Sequence, residues 1–105
     1  MESLDHLLCV LRQASSQNSL EFKPAVETLK NLESTPGFHY MLLKIVLLEN
    51  NNVDVHTRWL GALYLKNGVD RHWRPHSPFP IQLEEKEHIR NEILQCVNEN
   101  FHQVH

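Results

Sequence analysis

The chain has 105 residues and a mass of 12.3 kDa, enough for one modest core and too little for several domains. With 41% hydrophobic and 22% charged residues it is neither a disordered tail nor a membrane span, and a net charge of −3 argues against general nucleic-acid binding, which needs a basic footprint. Three glycines and five prolines are few for an all-β fold with many tight turns.

The first segment places Leu4, Leu7, Leu8 and Leu11 on one helical face. Asp5, His6 and Arg12 interrupt it and no positive region precedes it, so it does not read as a secretory signal. Ser15 to Ser19 form a polar break. Phe22, Ala25, Val26, Leu29 and Leu32 then repeat the helical spacing, with Pro24 in the first turn, where a missing N–H costs little. A third helix is expected from Thr35 as N-cap and Pro36 at the first helical position. Its residues Phe38 to Leu48 are apolar almost all round, apart from His39 and Lys44, so it must be covered on more than one side.

Asn50, Asn51 and Asn52 break the chain, and Asp54 reads as the next N-cap. The fourth helix carries Val55, Trp59, Ala62 and Leu63 on one face, widened by Leu60, Tyr64 and Leu65, and Asn67–Gly68 is its expected stop. Residues 69–82 contain Pro75, Pro78 and Pro80 and read as a long irregular connection. A fifth helix starts near Leu83, with Glu84, Glu85 and Glu87 favourable to its dipole and Ile89, Ile93, Leu94 and Val97 as its apolar face. No segment reads as a strand. The second and fourth helices start about 33 residues apart, the mark of a helical-repeat array in which each helix pair buries its face on the next. Leu42, Ile45, Trp59 and Leu63 are expected in the core, and Trp73 over the edge of a repeat with its N–H satisfied.

Chemistry is sparse. Cys9 and Cys96 lie far apart in no metal-type spacing and are expected as reduced, buried thiols of a cytosolic or nuclear protein. His72 and His76 have a zinc-like spacing, but Arg74–Pro75 between them argues against a shared helical face. His102 and His105 read as a frayed terminus. There is no Gly-rich phosphate loop and no nucleophile–base motif, so neither a cofactor nor catalysis is expected. The electrostatic feature is local: residues 56–76 hold Arg58, Lys66, Arg71 and Arg74 against the one acid Asp70, a basic edge able to meet an acidic surface.

From Leu29 to Trp73 the pattern becomes specific. Leu29 and Leu32 precede a turn, Pro36–Gly37–Phe38 opens a helix, and Arg58 lies early in the next. The run Leu63–Tyr64–Leu65–Lys66–Asn67 and Trp73 complete the set. This order resembles the importin-beta N-terminal domain of nuclear transport receptors. Lys23–Pro24–Ala25, Arg58–Trp59–Leu60, Gly68–Val69–Asp70–Arg71 and Glu84–Glu85–Lys86 look most like the importin-eleven branch.

The resemblance implies an all-α superhelix of HEAT repeats, with residues 1–105 holding repeats 1, 2 and part of 3. Asn98–His105 would open the second helix of the third repeat, so the chain reads as an N-terminal fragment of a longer receptor. The resemblance also implies binding of the small GTPase Ran in its GTP form, transport of cargo proteins, and shuttling between cytoplasm and nucleus through the nuclear envelope. In that family the second helix of each repeat lines the concave side that meets the GTPase, here Phe22–Glu33 and Val55–Asn67. Lys66 and Asn67 match the family's run and are the expected Ran-binding residues, with Arg71 beside them. Asp54 and Arg58 resemble the positions that tie neighbouring HEAT repeats together. The alternative is a truncated or self-associating helical module, because Ile89, Ile93 and Val97 of the fifth helix would lack a cover.

Overall fold

The structure, a computed structural model, describes residues 4–48 and 53–104, with side chains up to Val97. The helices are α1 (Leu4–Ala14), α2 (Ser19–Leu32), α3 (Phe38–Val46), α4 (Val55–His72) and α5 (Leu83–Val104), and among the described residues there is no strand. They form a slab of 47 × 37 × 22 Å, about two helix diameters thick. One layer is α1, α3 and α5, with α3 packed against both neighbours. The other layer holds α2 on α1 and α4 on α3. This is the all-α array of stacked helix pairs that the repeat period predicts, arranged as the HEAT-type solenoid that the resemblance implies.

The helix boundaries differ from the sequence reading in informative ways. Asn18 caps α2, its side chain accepting from the Leu20 N–H at 3.0 Å, so α2 starts at Ser19 and Pro24 lies in its second turn rather than its first. Pro24 is exposed there, and its carbonyl accepts from the Thr28 hydroxyl at 3.0 Å. Thr35 does not cap α3. Gly37 occupies the N-cap in the left-handed region at φ 89°, and the orphan N–H groups are met from far along the chain. Buried Glu85 of α5 accepts from Gly37 N–H at 2.8 Å and from Tyr40 N–H at 3.0 Å.

Asp54 does cap α4, accepting from the backbone N–H and the hydroxyl of Thr57. Those bonds, led by the hydroxyl, hold its carboxyl below the usual range. The break expected at Asn50, Asn51 and Asn52 lies outside the described residues. Asn67–Gly68 does not stop α4, which runs on to His72. The irregular connection is therefore 73–82, and the fourth helix is longer than the expected Val55–Asn67. Residues 98–104 do not open a new helix. No Gly or Pro interrupts Leu83–Val104, and α5 continues through them, while the side chain of His102, and His105 as a whole, lie outside the described residues.

The core joins Leu7, Val10, Leu11 and Ala14 of α1, Ala25 and Leu29 of α2, and Phe38, Leu42 and Ile45 of α3, with Val53 at its edge. Leu42 and Ile45 are fully buried as expected. Trp59 is not in the core: it is 64% exposed, Val55 is 78% exposed, and Leu63 is only half-buried. The buried face of α4 is instead Thr57, Gly61, Gly68 and His72, a helical row of small or polar residues that brings α4 close to α3. Leu60, Tyr64 and Leu65 pack beside that row. Cys9 is exposed rather than buried, and Cys96 is half-buried.

These burials rank two substitutions. Leu42→Ala is expected to cost about 2–5 kcal/mol, the range for a fully buried leucine. Leu63→Ala should cost clearly less, about 1–2 kcal/mol, because its side chain leaves water only in part. Urea unfolding of both variants checks the order, and equal losses would contradict the assigned face of α4.

Candidate partner-binding face

The helices α2 and α4 lie side by side without close packing, and the space between them is an open groove of about 550 Å³. Phe22, Val26 and Lys30 line it from α2, and Leu60, Leu63, Tyr64, Asn67 and Arg71 line it from α4. The floor is apolar. The polar groups gather at one end, where the C-terminal turn of α4 passes Glu33, the C-cap of α2. Burial pushes the Tyr64 hydroxyl up, and the nearby charge of Glu33 adds to the shift.

That end is closed by Glu33. Its Oε1 accepts from Arg71 Nη1 at 3.3 Å and lies 2.8 Å from His72 Nε2. Burial alone would raise the Glu33 carboxyl, but the hydrogen bonds and charges of His72 and Arg71 outweigh it and hold the carboxyl below the usual range. The expected site residues separate here. Asn67 and Arg71, four apart, both face the groove. Lys66 points away from it, on the outer ridge of α4 with Val55 and Trp59, and pairs with Asp70 at 3.5 Å. Both members of that pair are mostly exposed, so the contact holds Lys66 only weakly. Of the remaining cations of the basic edge, Arg74 is exposed and Arg58 is half-buried in the first turn of α4.

On the other side of α3 a polar ladder attaches α5. The Tyr40 hydroxyl donates to Glu92 at 3.1 Å, Lys44 pairs with Glu92 at 3.0 Å, and the Tyr40 ring stacks on His88. Trp73 lies over the edge between α4 and α5, as expected, and its ring takes Lys86 Nζ at 5.2 Å and Arg90 at 5.3 Å. On α5, Ile89 is buried, contrary to the expectation that it would lack a cover, whereas Ile93, Leu94 and Val97 are exposed.

Sequence reasoning missed Glu33, His39 and His72 as a group. His39 is 2% exposed, its ring centroid 5.8 Å from that of His72, and its Nε2 faces Gly68 with no hydrogen-bond partner. His39 was legible, with Lys44, as a polar interruption of an apolar stretch, and His72 as the end of the row of small residues on α4. Glu33 carries no local signal.

Burial lowers the His39 imidazole below its ordinary value, a shift that Glu85 opposes in part. The neutral ring is the folded form, so stability is fully present above the ordinary value of 6.5. It is lost as pH falls below that value, because the unfolded chain then binds a proton the folded chain does not. Urea unfolding across this window should show the slope, and His39→Leu should remove it. A native slope unchanged in His39→Leu would contradict the neutral buried ring.

Stacked helix pairs whose second helices wall an open groove, apolar along its floor and charged at one end, define a HEAT-type helical-repeat module. Residues 25–99 match the model of the importin-beta N-terminal domain, and the chain belongs to that family. It is 42% identical over 98 residues to Importin-11 of Mus musculus, which covers 93% of this chain and 10% of that protein. The figures for Importin-11 of Homo sapiens are the same, 42% over 98 residues. Importin beta-like protein KAP120 of Saccharomyces cerevisiae is 34% identical over 102 residues, 94% of this chain and 10% of its own length. The chain thus spans about a tenth of the length of the curated relatives it matches. No solved structure matches it significantly.

Proposed function

We propose that this chain is the Ran-GTP-binding N-terminal module of an importin-beta-like receptor for nucleocytoplasmic protein transport. Residues 1–105 then make up HEAT repeats 1, 2 and part of 3. Its work is binding rather than catalysis, in cytoplasm and nucleus, with cargo proteins carried by the whole receptor. One observation supports the reading most directly: Asn67 and Arg71 face the groove between the two second helices, the side that the family resemblance implies for the GTPase. Lys66 contributes from the outer ridge of α4, outside the groove, where breaking its exposed pair with Asp70 costs little.

Lys66→Glu should slow association with Ran-GTP and weaken binding, with an effect that shrinks at high salt. Asn67→Ala should weaken binding through contacts rather than charge. A pull-down with Ran loaded with GTP or GDP, using this chain and a version extended by later repeats of a relative, measures both. Unaltered binding by well-folded variants would remove these residues from the site. An extended version with no preference for the GTP form would remove the Ran reading itself.

The exposed Ile93, Leu94 and Val97 favour a second reading, a module that pairs through α5. Sizing chromatography decides it, since a strictly monomeric chain rules that pairing out.

A further inference from the structure

The His72 side chain is buried, and both of its ring nitrogens face acceptors. Nδ1 lies 2.6 Å from the Pro78 carbonyl oxygen and Nε2 lies 2.8 Å from Glu33 Oε1. A neutral imidazole has one N–H to donate, and neither a carbonyl nor a carboxylate has one to return. Satisfying both contacts at once takes one proton more than a neutral ring and an ionised carboxylate supply. Glu33 Oε1 also accepts from Arg71, so the second donor that this geometry calls for comes from the ring.

The same residue secures the connection to α5 a second time. The His72 backbone carbonyl accepts from the N–H of buried Ile81 at 2.8 Å, two residues before α5 begins. The segment 73–82 is thus tied to His72 at Pro78 through the side chain and at Ile81 through the backbone. We infer that His72 is a proton-operated strap: its imidazolium joins Glu33 at the end of α2 to the segment that seats α5, and loss of one proton releases one side.

When the ring is neutral, a lone pair faces an oxygen at hydrogen-bond distance, and either Pro78 or Glu33 must move away. The charged and titratable groups around the ring belong to every neighbouring element. They are Glu33 beside α2, Arg71 and Tyr64 on α4, His39 on α3 with its ring centroid 5.8 Å away, and Glu85 of α5 next to His39. His39 and His72 act in opposite directions. The neutral His39 ring supports the fold as pH rises, whereas the strap holds while its proton is bound and loosens as pH rises. Overall stability therefore mixes the two, and the test must be residue-specific.

Ring-nitrogen NMR of the whole chain should show both His72 nitrogens protonated wherever Ile81 protection is full. As the pH is raised through the ring's transition, the protection factor of the Ile81 amide should fall about tenfold, the worth of one hydrogen bond. Glu33→Gln is the decisive variant, because an amide can turn its NH₂ toward a lone pair. His72 should then be singly protonated at a pH where the native ring carries both protons, and Ile81 protection should no longer follow its titration. A His72 ring that is singly protonated in the native chain while Ile81 protection is full overturns the inference. So does Ile81 protection that is flat across the transition, or a ring still doubly protonated in Glu33→Gln.

Discussion

Gly68→Ala is expected to destabilise this domain by at least about 2 kcal/mol, although alanine is the better helix former by roughly 1 kcal/mol. A Cβ built on Gly68 would come closer than 3.0 Å to Nε2 and Cδ2 of His39, a distance that real Cβ atoms do not show. The His39 ring is 2% exposed and edge-packed on Phe38, so it has no free direction in which to yield. The two helices must separate or the ring must leave its rotamer. His39→Ala removes the obstruction, and in that background Gly68→Ala should cost almost nothing. The coupling between the two sites should therefore be large and visible in a double-mutant cycle of urea unfolding. Gly61 is the internal control. A Cβ there meets Leu11 and Val46 at 3.6 and 3.7 Å, ordinary contact distances, and Gly61→Ala should be neutral or stabilising. Additive losses at Gly68 and His39 would mean that α3 and α4 do not meet in this way.

Glu85→Ala should cost about 2–3 kcal/mol, more than a helix cap supplied by a neighbouring residue usually contributes. The Glu85 carboxylate is the N-terminal cap of α3 although it stands on α5, and its removal leaves the Gly37 and Tyr40 N–H groups without an acceptor in a partly buried place. The loss should appear twice: in overall stability, and as faster amide exchange at Tyr40 together with the first turns of α5. Glu85→Gln keeps one acceptor without the charge and should fall between the two. Loss of stability below about 0.5 kcal/mol in Glu85→Ala would show that the contact is incidental.

The helices themselves were open to sequence reasoning because each is announced locally. The apolar spacing of Leu4, Leu7 and Leu11, the capping aspartate Asp54 and the acidic first turn of α5 are properties of neighbouring residues. The family resemblance rested on such local runs too, and the match over residues 25–99 bears it out. The candidate face was legible in part. Asn67 and Arg71 do line a groove, but Lys66, their neighbour in sequence, sits on the outer ridge, because one residue turns the helix by about 100°.

What the sequence determined by itself is the all-helical array, its pairing and its family. Helix periodicity and caps act over three or four residues and need no partner to be recognised. Only the tertiary structure decided which face of α4 is buried, what caps α3 and what holds the end of α4. Hydrophobic spacing favoured Val55 and Trp59, yet a helix lying close to its neighbour needs small residues at the contact, so Gly61 and Gly68 went inside and the tryptophan remained in water. Glu85 meets α3 from 48 residues away and Glu33 meets His72 across 39. A carboxylate finds those unmet donors only after the helices have stacked, because the donors exist as a site only once the surrounding backbone is withdrawn from water.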